Sequence, residues 1–582
     1  MKNKDRKFII LENENQAKEY LKNIKGFDGV IPITFNFEAE ELLLKHNLSF
    51  KVGEAYETPT FYKNLQKSSI RLTKKICKKI DVKYRGIDLF QLFYAELVFF
   101  LNCSLMHLKI LKKIKKEEGI KEIIILENTQ KNPNEETYSR IAEEIFKADL
   151  KKIKYKIDKK ENEFLKIVGY AQNIISKIRL NSVEKEKNKI FFCGNKKLFE
   201  NLINEINKNK KNKIFRCSDA LQKSFFVNKK YISFYRFSGL KTVHQKELIK
   251  NIENFKKETN NLQFLGYLNL EKELIPILKE WIYYYLKVKF LDVSVVINQM
   301  MDLMRKKKVN LIMLYADVNV FEKTLAQVGK RFGIPSILIQ HGIIGGETGF
   351  VPKSADYFLA FGKKSKELLI NCGYPEENII ITGSPQFDKY VNRRIRKDKQ
   401  NKIIFIVEEP TNPEKNISKE KWKKVYEMLF KALKKFPKYK LIIKLRKSKG
   451  DLDKLPEVIA KKENFQSLEI VRDINPLKLL SGADMVILTD TTMVFDALLL
   501  NKPVISINFK ELEKFFCYKY LKPVKTVHNQ KELEIAIEKS KTQTKKELLE
   551  IREALKKELY KLDGKASVRI INFINNILLK KK

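Results

Sequence analysis

The fold class that the sequence predicts is two doubly wound α/β domains, each a parallel sheet sandwiched by helices, facing a cleft. Three observations predict it. Short, fully apolar runs alternate with helix-period stretches along most of the chain, the pattern of parallel strands buried on both faces. The chain of 582 residues is too long for one hydrophobic core. Polar and glycine residues cluster just after the apolar runs, where such sheets bind ligands.

In the first half, KFIIL (7–11), GVIPITF (29–35), EIIILEN (122–128) and KIFFCG (189–194) read as strands. They are followed by NLIMLYAD (310–317), PSILIQHG (335–342) and DYFLAFG (356–362). The stretch VFEKTLAQVGKRFG (320–333) has helical spacing and stops at Gly333 and Pro335, so 310–342 is a strand–helix–strand unit. A second series holds NKIIFIVEEP (401–410), YKLIIKLR (439–446), LEIVRD (468–473), DMVILTD (484–490) and PVISINF (503–509), with a helix expected at 419–436. Residues 1–385 are expected to form an acceptor-side domain, 386–400 a basic linker and 401–555 a nucleotide-binding domain. Residues 556–582 are expected to form a helix that packs back on the first domain.

The formal net charge is +45, from 116 Lys and Arg against 71 Asp and Glu. The lysines are spread over the whole chain, without zinc-finger spacing, an RNP-like aromatic run or a basic arm. That distribution argues against a nucleic-acid module and for a compositional bias that favours an anionic acceptor or membrane surface. Cys77, Cys103, Cys193, Cys217, Cys372 and Cys517 form no CxxC pair and read as reduced thiols. The N-terminal apolar run is too short for export, so a cytoplasmic location, with peripheral attachment at the inner membrane face, is expected. Phe90–Leu108 is long enough to cross a bilayer. Gln91, Glu96, Asn102 and His107 interrupt it, which favours a buried or surface-dipping helix.

The chemistry concentrates at five strand ends. In DMVILTDTTMVFDALLL, Asp490 ends a strand, and Thr491 and Thr492 open a helix whose N–H groups suit a diphosphate. Asp496, one turn on, suits two ribose hydroxyls. The competing structural reading makes Thr491 a helix cap and Asp496 a solvated surface residue. In ILIQHGIIGG, His341 suits either a general base for an acceptor hydroxyl or a phosphate ligand, with Gly342 and Gly345 allowing close backbone approach. The bland alternative is a core histidine beside a turn. Gly383 and Ser384 of IIITGSPQFD line the crossing between domains, and Asp388 is placed to cap the next segment; a plain turn serves equally well. Glu408 and Thr411 follow the first strand of the second domain, and Lys444 and Arg446 follow the next, where they would neutralise phosphate. Asp451 and Asp453 form the one DxD, read as a polar loop rather than a metal site, so no metal and no cofactor beyond the activated donor are expected. P-loop, GxGxxG, GxSxG and HExxH signatures are absent.

Taken in order, the strand-end HG, TGSPQFD, TDTTMVFDALLLNKPVI and DGKASVRIINFI (563–574) resemble GT-B enzymes over residues 310–582. They resemble the surface-polysaccharide glycosyltransferases and the CDP-glycerol glycerophosphotransferases of cell envelopes. The DGKAS-type tail also resembles the non-hydrolysing UDP-N-acetylglucosamine 2-epimerases. The resemblance implies a nucleotide-activated donor, with Thr491 and Thr492 on its phosphates, Asp496 on its ribose and His341 serving catalysis. It also implies metal-free transfer to an envelope glycan or lipid-linked acceptor. Leu445-Arg446-Lys447 stands where many relatives carry His-Pro, and Asp496 is shorter than the usual Glu. A nucleotide-sugar 2-epimerase, a nucleic-acid-binding protein and a non-catalytic GT-B scaffold are the alternative functions.

Overall fold

The computed structural model describes residues 6–57, 65–129, 136–156, 188–194, 196–219, 231–234, 243–260, 262–316, 318–344, 350, 352–391, 401–407, 419–445, 454–489, 491–508 and 521–580. The chain divides into two compact units, residues 1–166 with 237–295, and residues 167–236 with 296–582.

The first unit holds a five-stranded sheet of β1 (Arg6–Leu11), β2 (Val30–Thr34), β3 (Lys51–Val52), β6 (Ile120–Asn128) and β7 (Leu150–Tyr155). A short antiparallel ribbon pairs β4 (Lys83–Tyr84) with β5 (Ile87–Asp88). The sheet order is β3-β2-β1-β6-β7, and every pairing in it is parallel. The apolar segment at 90–108 lies mostly in the helix Tyr94–Glu118, and 61% of its most apolar window is buried inside the protein. Its His107 stacks on Tyr138 at 3.6 Å between ring centroids, and burial pushes the imidazole down to about 3, so it is a neutral core histidine.

The second unit contains two sheets. One has seven strands, β8 (Asn188–Cys193), β9 (Asn212–Asp219), β10 (Tyr231–Phe234), β11 (Val309–Leu314), β12 (Ser336–Ile339), β13 (Tyr357–Ala360) and β14 (Ile379–Ile381). The other has six, β15 (Lys402–Ile406), β16 (Lys440–Lys444), β17 (Leu468–Val471), β18 (Met485–Leu488), β19 (Val504–Ile507) and β20 (Val524–Val527). Their orders are β10-β9-β8-β11-β12-β13-β14 and β17-β16-β15-β18-β19-β20, parallel throughout. In each of the three sheets the first strand lies between the second and the fourth. That arrangement creates a switch point at the strand ends.

Every residue of β12, β18 and β19 is buried, which explains their uninterrupted apolar sequences. In the helix Ala566–Leu579, Ile570, Ile574 and Leu578 recur every four residues. They join Ile190, Leu311, Ile337 and Leu359 of the seven-stranded sheet in one buried cluster. The C-terminal helix therefore covers the first of these two sheets after the chain has completed the second. With this helical tail, the second unit has the two doubly wound parallel sheets that the sequence predicts.

The first 385 residues, expected as one domain, carry two separate sheets. Apolar periodicity identifies strands but not their hydrogen-bonded neighbours. Two of the longer strands missing from the expectation, β7 and β9, carry charged residues. Strand β7, LKKIKY, is a sheet edge whose Lys151, Lys152 and Lys154 break the apolar run, as edge strands often do.

Candidate functional site

Strand β12 delivers its chain end to Gln340 and His341. The Gln340 side chain is buried and fully engaged. Its Nε2 donates to the Gly342 carbonyl at 2.8 Å and to Ser365 Oγ at 3.0 Å, and its Oε1 accepts from the Phe361 N–H at 2.7 Å. This amide ties the end of β12 to the end of β13 and fixes the backbone on either side of His341. The imidazole packs against Tyr315, the residue after β11, at 4.1 Å between centroids. Burial holds His341 below the usual histidine range, opposed by a hydrogen bond to the Tyr315 backbone. At neutral pH the ring is uncharged and able to accept a proton.

The six-stranded sheet presents the end of β18 and the helix Met493–Leu499. Buried Thr491 turns inward, its Oγ1 accepting from the Met493 N–H at 3.3 Å. Thr492 is half-buried and makes no capping bond, which leaves its hydroxyl unused by its own helix. A Cβ placed on Gly342 would lie 3.5 Å from Thr492 Oγ1. Gly342 and Thr492, about 150 residues apart in sequence, are thus neighbours, with a glycine where a side chain would begin to fill the space between them.

Asp496 is engaged within the fold. Its carboxylate accepts from the Tyr390 hydroxyl, and burial raises it to about 6, with Tyr390 and then Lys389 opposing. It therefore bonds the helix after β18 to the segment that crosses between the two sheets.

That crossing is braced from the tail. Asp388 Oδ1 and Oδ2 accept from the N–H groups of Ala566 and Ser567 at 3.0 and 2.8 Å, so it caps the C-terminal helix. Arg569 donates to the Thr382 carbonyl at 2.7 Å and grips Asp563 at 2.8 and 3.0 Å. Gly383 has φ +80°, and a Cβ there would stand 3.1 Å from Arg569 Nη2. Glycine is required by both the conformation and the space. Buried Ser384 has no hydrogen-bond partner for its Oγ.

Lys444 ends β16 with its Nζ on the Leu445 carbonyl at 3.3 Å. Gly345, Glu408, Thr411, Arg446, Asp490 and the Asp451/Asp453 pair lie outside the described residues. Among the described residues no group of His, Cys, Asp or Glu is arranged to hold a metal ion.

Sequence reasoning missed Gln340, Tyr315, Tyr390 and Arg569. The polar Gln340 inside a buried strand end was the one visible signal. His528 directly follows β20, its Nδ1 2.9 Å from the Asn508 carbonyl.

Several solved enzymes are similar in structure. The UDP-GlcNAc 2-epimerase of Neisseria meningitidis bound to UDP-GlcNAc shares 14% identity, covering 67% of this chain and all of that one, with a TM-score of 0.40. The UDP-GlcNAc 2-epimerase of Methanocaldococcus jannaschii shares 14% identity over 67% of this chain and 99% of its own, with a TM-score of 0.41. The wall teichoic acid polymerase TagF, soaked with CDPG, shares 14% over 72% and 99%, with a TM-score of 0.39. No curated protein matches the chain. Residues 292–575, which include both strand ends that meet at Gly342 and Thr492, match the family model described as UDP-N-acetylglucosamine 2-epimerase.

Proposed function

We propose that this protein is a nucleotide-dependent glycosyltransferase. It moves a sugar, or a glycerol phosphate-like group, from an activated donor to a hydroxyl of an envelope or surface glycan. The observation that carries the reading is the approach of Gly342, the residue after the uncharged His341, to Thr492, whose hydroxyl its own helix leaves uncapped. Transfer to a hydroxyl needs one base for the incoming O–H and polar donors for the departing phosphate. His341 supplies the base. Thr492, the N–H groups that open the helix Met493–Leu499, and Lys444 form the phosphate side. Ser384 and Asp496 belong to the donor pocket, with Glu408, Thr411, Arg446 and Asp490 completing it. No metal enters this scheme. The acceptor is a polymeric or lipid-linked glycan, chosen by residues before the matched region.

The second reading, inversion at C2 of a nucleotide sugar, is favoured by the family match over residues 292–575. Inverting a carbon centre requires acid–base groups on both of its faces. At the end of β12 the neighbouring polar side chain is Gln340, whose amide is wholly committed to structure.

The deciding experiment is a thermal-shift screen with UDP, GDP, CDP, CMP and their sugars, followed by product analysis with and without acceptor. A ligand at a hundredfold excess over its Kd stabilises the fold by about 2.7 kcal/mol. Transfer that appears only with acceptor, and is lost in His341→Gln with donor stabilisation retained, supports the proposal. A C2-inverted sugar formed without acceptor establishes the second reading instead.

A further inference from the structure

The first unit carries a surface that neither reaction uses. In the helix Leu65–Lys79, LQKSSIRLTKKICKK, Leu65, Ser69, Leu72, Thr73, Ile76 and Cys77 are buried. The opposite face exposes Lys67, Arg71, Lys74, Lys75, Lys78 and Lys79. These six cations recur at intervals of three and four residues and form one stripe, about 18 Å long at 1.5 Å per residue. The helix contains no acidic residue. Other exposed helices mix their charges, as Lys545–Leu559 does with Glu547, Glu550, Glu553 and Glu558.

A cavity of about 630 Å³ opens beside this stripe, between the same helix, the helix Tyr94–Glu118 and the loop Asn269–Glu273. Its lining is mixed: Leu65, Leu72, Leu105 and Leu270 are its apolar part, and polar or charged side chains, Arg71 and Lys109 among them, make up the rest. Lys112, also in the lining, is paired with Glu271 and Glu273 at 2.9 Å each. Tyr267, two residues before this loop, is 88% exposed. An aromatic ring with a polar tip suits the boundary between water and lipid.

We propose that this face docks on an anionic phospholipid bilayer, with the cationic stripe at headgroup level and the leucine-walled cavity admitting part of one lipid. Charge complementarity selects the partner class, and the leucines in the wall of this mixed cavity favour lipid over a nucleic acid, whose phosphates would use only the stripe. Such docking would hold the enzyme where lipid-linked acceptors reside, but it does not depend on the reaction proposed above.

The test is sedimentation of the full chain, without donor, with vesicles of phosphatidylcholine alone or mixed with phosphatidylglycerol. Binding is expected to the mixed vesicles only, weakening as salt rises. Each surface cation contributes about fivefold to partition. Lys67→Gln, Lys74→Gln and Lys78→Gln combined should therefore lower it about a hundredfold. The matched triple Lys545→Gln, Lys546→Gln and Lys557→Gln, equal in charge change, should lower it far less. Monomeric lyso-phosphatidylglycerol should raise the Tm of the native chain and not that of Leu105→Gln. All the substituted lysines are exposed, so unchanged circular dichroism certifies folding. Equal losses in the two triples, binding to neutral vesicles, or competition by RNA that abolishes lipid binding and persists in Leu105→Gln would each overturn the proposal.

Discussion

His341 combines three properties that make a side chain chemically useful: an uncharged resting state, a fixed backbone and an open neighbour in Gly342. Because burial depresses its proton affinity, the base form persists below the ordinary histidine value of about 6.5. Activity is therefore expected to rise with pH through an apparent value below that, and His341→Gln should remove this acid limb and lower kcat by about 10²–10⁴-fold. Asp496 runs the other way. Its carboxyl is raised to about 6, above an unfolded value near 3.8, so the folded state holds the proton more tightly. Stability from this group is complete at low pH and declines as pH climbs from about 4 through 6, by about 3 kcal/mol at most. Asp496→Asn should erase that decline while keeping an acceptor for Tyr390. Its Tm relative to the native chain is expected to improve as pH rises across the window. Loss of nucleotide binding in the same variant would then report a ribose contact rather than misfolding.

Elements in the second unit are bolted together by short polar contacts at their ends. Gln340 joins β12 to β13, Tyr390 joins the crossing segment to the helix after β18, and Asp388 joins the same segment to the C-terminal helix. Gly362 allows the end of the helix Lys545–Leu559 to press close, since a Cβ there would stand 2.4 Å from the Glu558 carbonyl oxygen. Asp388→Ala should cost about 1–2 kcal/mol by uncapping the tail helix, read from denaturant midpoints with unchanged slope. Gly383→Ala should cost more than a simple left-handed penalty of about 1 kcal/mol, because its methyl also meets Arg569 and Ala566. All twelve strands expected from apolar runs are present, and the helices expected at 320–333 and 419–436 run over Val320–Arg331 and Lys419–Lys434. These elements were legible because burial on both faces leaves a continuous apolar signature. The lysine-bearing β7 and the mixed β9 were not, because a partly exposed strand tolerates charge.

At the scale of the whole molecule, the charge of +45 and the three parallel sheets separate what is compositional from what is architectural. Cys77, Cys193 and Cys217 are buried. The order of hydrophobic runs alone determined that the chain builds doubly wound parallel sheets, that a helical tail follows them, and that polar residues gather at strand ends. Those features depend on local periodicity and on burial, which each segment carries in its own composition. Only the tertiary structure decided that residues 1–385 divide between two sheets, that Gly342 meets Thr492, and that Asp496 bonds Tyr390. Each of these is a contact between segments distant in sequence, determined by which strand lies beside which, and no local pattern encodes that choice.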